Sequence, residues 1–270
     1  MLPAYRYGHA GIGELCYHPV IDMKISLITT SFNSAATITD TLECIRRQTH
    51  PDIEHIIIDG SSTDNTLAII ANFPHVARLI SEKDNGIYDA MNKGIRIATG
   101  EVIGILNSDD VYTDAGVLAA VAMAFNDPAV MTVYADLQYV YYDNPDRVRR
   151  NWISGPFKKE NFYFGWMPPH PTFFVRKEAY DGAGLFNTDL HSAADYELML
   201  RLLLKQGYSA HYIPRIIVKM RQGGVSNASL QNRMRANKED RLAWKLNGLK
   251  PYFFTLYLKP LRKISQFIIK

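Results

Sequence analysis

The sequence is poor in the features that mark specialised protein classes. Cysteine is nearly absent, with Cys16 and Cys44 the only two in 270 residues. Two cysteines build no disulfide framework, so a reduced cytosolic setting is the simpler expectation. Long apolar runs are missing as well. The longest, from Gly116 to Phe125, falls well short of the about 18 residues that a membrane-spanning helix needs. Residues 1–22 lack the continuous apolar middle of a secretion signal and show no clear periodicity. They read as a loose extension ahead of Met23-Lys24, and nothing in the chain directs export. Net charge is only +3, too mild to point to nucleic acid. No segment repeats, and none is of low complexity. The remaining composition, 47% hydrophobic and 21% charged, is that of a soluble globular protein. Its length allows one large or two small domains around a packed core.

Three short segments carry the chemistry: Thr29-Thr30-Ser31-Phe32-Asn33, Ile57-Ile58-Asp59-Gly60-Ser61 and Leu106-Asn107-Ser108-Asp109-Asp110. Each ends an apolar run that reads as a buried strand: Ile25 to Thr30, Ile53 to Ile58 and Val102 to Leu106. Val76 to Ile80 is a weaker strand. Helical patterns lie between them, with Ile38, Leu42 and Ile45 on one face, then Thr66 to Ala71, then Gly86 to Thr99. Asn33 or Ser34 is expected to cap the first helix. Strands alternating with helices indicate βαβ units and a mostly parallel sheet. In such sheets ligands bind outside the carboxyl ends of the strands, so the three polar tips should converge. The paired carboxylates on the last tip suit a hard divalent cation bridging to phosphate oxygens. A nucleotide-diphosphate site is the first inference.

After about Asp136 the character changes. Tyr139, Tyr141, Tyr142, Trp152, Phe157 and Trp166 crowd a stretch punctuated by Gly and Pro. It reads as a less regular, aromatic-lined half that completes a cleft. These rings are core, or one or two of Trp152, Tyr163 and Trp166 stack on an acceptor sugar. Asp195 to Gln206 reads as a helix. From Lys250 to Lys270 there is no acidic residue, and aromatic and aliphatic residues alternate with lysines and Arg262. That pattern fits a segment lying on an anionic membrane surface or a helix packed on the domain. The expected organisation is an extension at 1–22, a nucleotide-binding α/β half at 23–136, an acceptor half at 137–225 and a basic, amphipathic helical tail at 226–270.

With these motifs in order, the chain resembles glycosyltransferase family 2, particularly bacterial members that build O-antigen and related surface polysaccharides. The resemblance rests on KISLITTSFNSAATITDTLECIRRQ, IIIDGSSTDNT, SEKDNGIYDAMNKGIRIATGEVIGILNSDD, MPPHPTFFVRKEAY and AADYELMLRL, and covers roughly Met23 to Ser226. It implies a GT-A fold, in the α/β class, with a mostly parallel central sheet flanked by helices, a smaller acceptor-side region and a C-terminal helical tail. It also implies a nucleotide-sugar donor, with UDP favoured, inversion at the anomeric carbon, and a glycan or undecaprenyl-diphosphate-linked acceptor. Such an enzyme would be cytoplasmic or peripheral on the inner membrane, without nucleic-acid partners.

By the same resemblance, Thr30, Phe32 and Asn33 would border the base, and Asp59 would accept a hydrogen bond from the uracil ring nitrogen. Asp84, Asn92 and Lys93 would line the ribose and diphosphate side. Asp109 matches the metal-binding carboxylate of the family's DxD element, which would hold Mn²⁺ or Mg²⁺. The first position of that element is Asn107 rather than Asp, with Ser108 between. Asn107 brings one less negative charge, and Asp110 would partly compensate. Read without the resemblance, Asp59-Gly60 is a turn, and Asp109-Asp110 could cap a helix starting near Asp114.

Displacing a diphosphate also calls for a base that takes the acceptor's proton, and inversion places that base opposite the leaving group. Asp195 fits, since it opens a helix where the macrodipole favours a carboxylate and matches the family's acidic residue there. Ala194 stands where a second acid is common. The plain alternative makes Asp195 an N-cap. His170, between two prolines, contacts acceptor or phosphates, or is a held loop histidine. Arg221, in Arg221-Gln222-Gly223-Gly224, pairs with phosphate oxygens or belongs to a surface turn. The other histidines, such as His55 and His75, have no metal-ligand spacing and read as structural.

Two alternatives stay open. A sugar-nucleotide pyrophosphorylase would carry a Gly-rich basic loop after its first strand, where this chain has Thr30-Ser31-Phe32-Asn33-Ser34. A catalytically inactive nucleotide-sugar-binding module would lack a base such as Asp195. A processive synthase of the same family would need membrane spans and a Gln-x-x-Arg-Trp motif, and neither occurs.

Overall fold

The computed structural model describes residues 23–222 and 230–266. The expected extension at 1–22 and the Gly223-Gly224 pair lie outside the described residues.

Strands covered on both faces need no polar alternation, and the continuous Ile, Val and Leu runs form such strands. β1 (Ile25–Ser31), β2 (Ile53–Asp59), β3 (Val76–Ser81) and β4 (Val102–Ile105) pair in parallel in the order β3-β2-β1-β4. They are joined by α1 (Ile38–Arg46), α2 (Thr66–Ile70) and α3 (Ile87–Ile97). α1 buries Ile38 and Leu42 against Ile57 and Ile70 on one side of the sheet. α3 buries Ala90, Met91 and Ile95 against Ile28, Ile58 and Ile103 on the other. A Cβ at Gly94 would stand 2.5 Å from Ile28, so α3 lies against β1 only because that position has no side chain. The register sets Ser31 opposite Asp59, which brings two of the polar tips level.

The first helix starts later than expected. α1 begins at Ile38 with no side-chain cap. Asn33 has φ +49°, a left-handed conformation that Asn tolerates. Its side chain accepts from the amide of Thr63 at 2.9 Å, so it braces the next loop instead of capping.

Beyond β4 the sheet becomes mixed. β5 (Val111–Tyr112) and α4 (Val117–Ala124) lead to an antiparallel pair, β6 (Thr132–Tyr141) and β7 (Asn144–Trp152). The stretch that looked irregular is therefore a long hairpin carrying Tyr139 and Trp152. α5 (Glu160–Tyr163), β8 (Phe174–Arg176), α6 (Lys177–Ala183) and α7 (Ala194–Met199) follow, and α7 continues as a π-helical segment over Leu200–Lys205. β9 (Ala210–Arg221), α8 (Leu230–Leu246) and α9 (Thr255–Ser265) complete the described chain. The sheet order runs on as β4-β8-β6-β9-β5. β8 is antiparallel to both β4 and β6, while β6 and β9 are parallel. The parallel character expected of the central sheet thus holds through β3-β2-β1-β4, and antiparallel ladders enter with β8.

α8 packs on α7. Trp244 is fully buried, and its indole N–H donates to the Tyr196 hydroxyl at 2.9 Å. Asn247 donates to the Glu197 carbonyl at 3.2 Å. Among the described residues, no helix is long and apolar enough to cross a membrane.

Candidate active site

The carboxyl ends of β1, β2 and β4 meet through side chains. Thr30 Oγ1 donates to Asn107 Oδ1 at 3.2 Å, and the hydroxyls of Ser34 and Ser108 lie 2.8 Å apart. Asn33 N–H donates to Ser62 Oγ at 2.8 Å. The turn after β3 reaches the same place, since a Cβ built on Gly60 would stand 2.8 Å from Asp84 Oδ2 and 3.4 Å from the Phe32 ring. Asp84 itself is held by the amide of Gly86 at 3.0 Å. The Phe32 ring is 64% exposed and offers an aromatic face at this rim.

Asp59 sits differently from expectation. Its Oδ1 accepts from Ser31 and Ser62 hydroxyls, and its Oδ2 accepts from the Ser62 amide and the Ser81 hydroxyl. It has no exposed surface. Four donors fill two oxygens, so in this conformation Asp59 fixes the loop and presents no free lone pair to a base. Two further expectations are corrected. Asn92 is buried with both ends of its amide on the backbone of Phe186, at 2.9 Å each, so it ties α3 to a distant loop and lines no ligand. Lys93 bonds Glu82 at 2.8 Å and the Lys83 carbonyl at 3.1 Å, which fixes the chain behind the Asp84 turn.

The acidic corner lies at the end of β4. Asp109 accepts no hydrogen bond from another residue's side chain or backbone among the described residues, and burial pushes its carboxyl up, opposed by the charge of Arg221. Asp110 is fully buried, and its Oδ1 has no hydrogen-bond partner. Burial, with the Asp109 charge second, pushes it well above the ordinary carboxylate range. Neither caps a helix, because Asp114 serves the start of α4 by accepting from the Gly116 amide at 2.8 Å. Arg221 is not on a surface turn. Only 4% exposed, it donates to the Asp109 carbonyl at 3.0 Å and the Tyr142 carbonyl at 3.2 Å, and pairs with Asp40. Its guanidinium fixes the backbone of Asp109. Among the described residues no group of three or more His, Cys, Asp or Glu could hold a metal alone.

A cavity of about 690 Å³ opens from this corner, running from Asn107 and Arg221 past Asp195 and His170 to Lys259. Asp195 lies in the first turn of α7 and is not its N-cap. Its Oδ1 accepts from the Tyr88 hydroxyl at 3.2 Å. Burial holds the Tyr88 phenol far above its ordinary pKa, so it remains a donor. The backbone ahead of α7 is held by Glu239 of α8, whose Oε2 accepts from the Ser192 amide at 2.7 Å and the Ala193 amide at 3.1 Å. Asp195 is thereby relieved of capping and left on the cavity wall. His170 stands edge-on to Phe186 at 5.7 Å, and burial lowers its pKa, with the Asp195 charge opposing. It is a neutral imidazole beside the carboxylate.

Trp166 borders the cavity but is a core residue, 4% exposed with its N–H on the Ser154 carbonyl at 2.8 Å. Trp152 lines the wall, stacked on Tyr139, while Tyr163 packs on Trp244. Tyr88 and Glu239 escaped the sequence reading. Tyr88 lies within a quoted motif, GIYDAMNKG, yet its partner is 107 residues away. Nothing local marks Glu239.

A parallel α/β half with convergent polar tips, an acidic corner and a carboxylate-bearing cavity is the arrangement that a glycosyltransferase of GT-A fold calls for, and the comparisons with known proteins show that class. The description "Glycosyl transferase family 2" matches residues 26–181. The chain belongs to that family. It is 31% identical over 207 residues to a PGL/p-HBAD biosynthesis glycosyltransferase of Mycobacterium tuberculosis, covering 75% of this chain and 78% of that protein. Among solved structures, S. aureus TarS 1–349 in complex with UDP-GlcNAc superposes with TM-score 0.65 at 18% identity, over 83% of this chain and 65% of that one. The mannosyltransferase PcManGT from Pyrobaculum calidifontis, in complex with GDP-Man and Mn²⁺, gives 0.61 at 21% identity, over 90% and 74%.

Proposed function

We propose that this enzyme moves a sugar from a nucleotide-diphosphate donor, a UDP-sugar, to a hydroxyl of a glycan or undecaprenyl-diphosphate-linked acceptor. The transfer is a direct displacement with inversion, in the assembly of a bacterial surface polysaccharide such as O-antigen or capsule. A cytoplasmic place, peripheral on the inner membrane, goes with such an acceptor. The observation that carries this reading is one cavity with Asn107 and Arg221 at one end and Asp195 on its wall. The UDP-GlcNAc in TarS and the GDP-Man in the mannosyltransferase support the donor class.

The rim formed by Thr30, Phe32, Asn33 and Asp84 receives the nucleoside, with the Phe32 ring stacking on the base. Asn107 and Ser108 present amide and hydroxyl groups to ribose and diphosphate. Asp109 is the residue that would hold a divalent cation, Mn²⁺ or Mg²⁺, with Asn107 and Asp110 behind it. A carboxylate that accepts no hydrogen bond from another described residue, beside a buried acid with an orphaned oxygen, fits a cation, and the donor's phosphate oxygens would supply further ligands. When bound, that cation neutralises charge on the departing diphosphate. Asp195 takes the acceptor's hydroxyl proton while the acceptor oxygen bonds to the anomeric carbon. The bond from that carbon to the diphosphate oxygen breaks, and its electron pair leaves with UDP. Tyr88 orients the base, and neutral His170 offers a hydrogen bond to acceptor or sugar. A module that only bound the donor would have no use for a carboxylate held in this way.

The test is UDP release from a panel of UDP-sugars with Mn²⁺, with and without lipid-linked acceptor. Acceptor-dependent release is expected. Absence of both release and thermal stabilisation by any nucleotide sugar would refute the reading.

A further inference from the structure

Sequence alone left the C-terminal segment as either a packed helix or a membrane-surface helix. In the structure α9 has two distinct sides. Leu256, Lys259 and Pro260 line the cavity, and Lys259 is fixed there by Asp240 at 2.7 Å and by the Tyr196 ring at 3.5 Å. The opposite side presents Tyr257 and Leu261, four residues apart and 60% and 55% exposed, and Phe253, in the turn just ahead of the helix, is 89% exposed. α8 extends this surface. Its Arg241 lies over the Tyr257 ring, and Leu242 and Leu246 of the same helix are also exposed. From Arg241 to Lys270 the chain contains no Asp or Glu, while Arg241, Lys245 and Lys250 are all exposed.

We propose that this two-helix surface docks on an anionic lipid bilayer, with the Phe253, Tyr257 and Leu261 side chains entering the headgroup region and the surrounding cations facing lipid phosphates. Aromatic and aliphatic groups on one side of a helix, ringed by cations and without acids, have the chemistry of an interfacial segment. The acids of α8, Glu239 and Asp240, are turned inward onto the Ser192 and Ala193 amides and onto Lys259, so the exposed charge of this surface is cationic and complements anionic lipid. The inference rests on reading the cavity as the acceptor site, and it deepens that reading. Because α9 is at once the cavity wall and the docking surface, the cavity opens beside the bilayer. The acceptor class is therefore a lipid-anchored sugar whose headgroup rises from the membrane into the site. A freely diffusing oligosaccharide would have no need of this geometry.

The experiment is flotation of the full chain with phosphatidylcholine vesicles, with and without phosphatidylglycerol, compared with a Phe253→Ser/Tyr257→Ser/Leu261→Ser variant. All three side chains are exposed and off the cavity, so the fold and UDP binding should persist, read as thermal stabilisation without lipid. The wild type should prefer anionic vesicles by about tenfold or more, with partial loss at about 0.5 M salt. The variant should float about tenfold less. Equal flotation of both proteins, or no flotation of the wild type, would overturn the proposal, as would a wild type that self-associates through this surface and stays off vesicles. Failure of UDP binding in the wild type would instead count against the proposed function and leave the vesicle result standing.

Discussion

Replacing Tyr88 with Phe removes one atom from the site. The ring stays stacked on Phe186, at 5.5 Å between centroids, and the cavity keeps its wall. What disappears is the hydroxyl that donates to Asp195 at 3.2 Å. A hydrogen bond to a charged group contributes about 1.5–3 kcal/mol. The bond is on the long side, and Asp195 is only half-buried, so water recovers part of that in the variant. A loss of about 1 kcal/mol in transition-state stabilisation remains, which is about fivefold in rate. The loss should fall on kcat, because Tyr88 bonds the carboxylate proposed as the base and has no part in the proposed donor rim. Steady-state kinetics with varied donor and saturating acceptor should show kcat down about fivefold with donor KM unchanged. A Tyr88→Leu control, which also removes the stacked ring, should lose thermal stability as well. If Tyr88→Phe kept full kcat, or if its defect appeared only in donor KM, the assignment of Tyr88 to the base would be wrong.

Other residues make equally concrete predictions. Asp109→Ala should abolish the part of UDP affinity that depends on Mn²⁺, measured by titration calorimetry; identical metal dependence in both proteins would argue against ligation. Glu239→Gln should lower stability by about 1–2 kcal/mol, as charge-assisted bonds to the Ser192 and Ala193 amides weaken, and should slow transfer more than it weakens donor binding. His55 is buried against His75, and burial depresses its pKa from 6.5 to about 3. Its native pKa lies below the unfolded value, so the stability contributed by neutral His55 is present above pH 6.5 and is lost as pH falls toward 3. Between pH 6.5 and 4.5, denaturant melts of His55→Leu should therefore decline less than wild type by about 2–3 kcal/mol; parallel curves would show that His55 is not the group titrating.

The parallel half was legible because its signals are local. The runs ending at Ser31, Asp59 and Ile105 are buried on both faces, and each polar tip immediately follows its strand. Even the convergence of the tips followed from the general behaviour of parallel sheets. The mixed half was not legible, because inserting β8 between β4 and β6 depends on pairings between distant segments that leave no periodic trace. The surroundings of some side chains were hidden for the same reason. Asn92 sits in a motif full of polar residues, and its buried partner, Phe186, is 94 positions away. Asp59 looked like a ligand-facing acid, but three serines from three different segments occupy it. The pattern of the C-terminal segment left open whether it packs on the domain, and only the packing of Leu256 and Lys259 shows which side of α9 is covered.

Inverting transfer as proposed requires Asp195 to accept a proton in the same cavity that holds the donor's leaving group. Single-turnover transfer by Asp195→Asn, with UDP affinity measured on the same preparation, tests this most directly. Substitution by the near-isosteric amide should leave UDP binding within twofold and cut the transfer rate by about 10²–10⁴. Transfer at the wild-type rate would contradict the account, and so would a loss of UDP binding equal to the loss of activity.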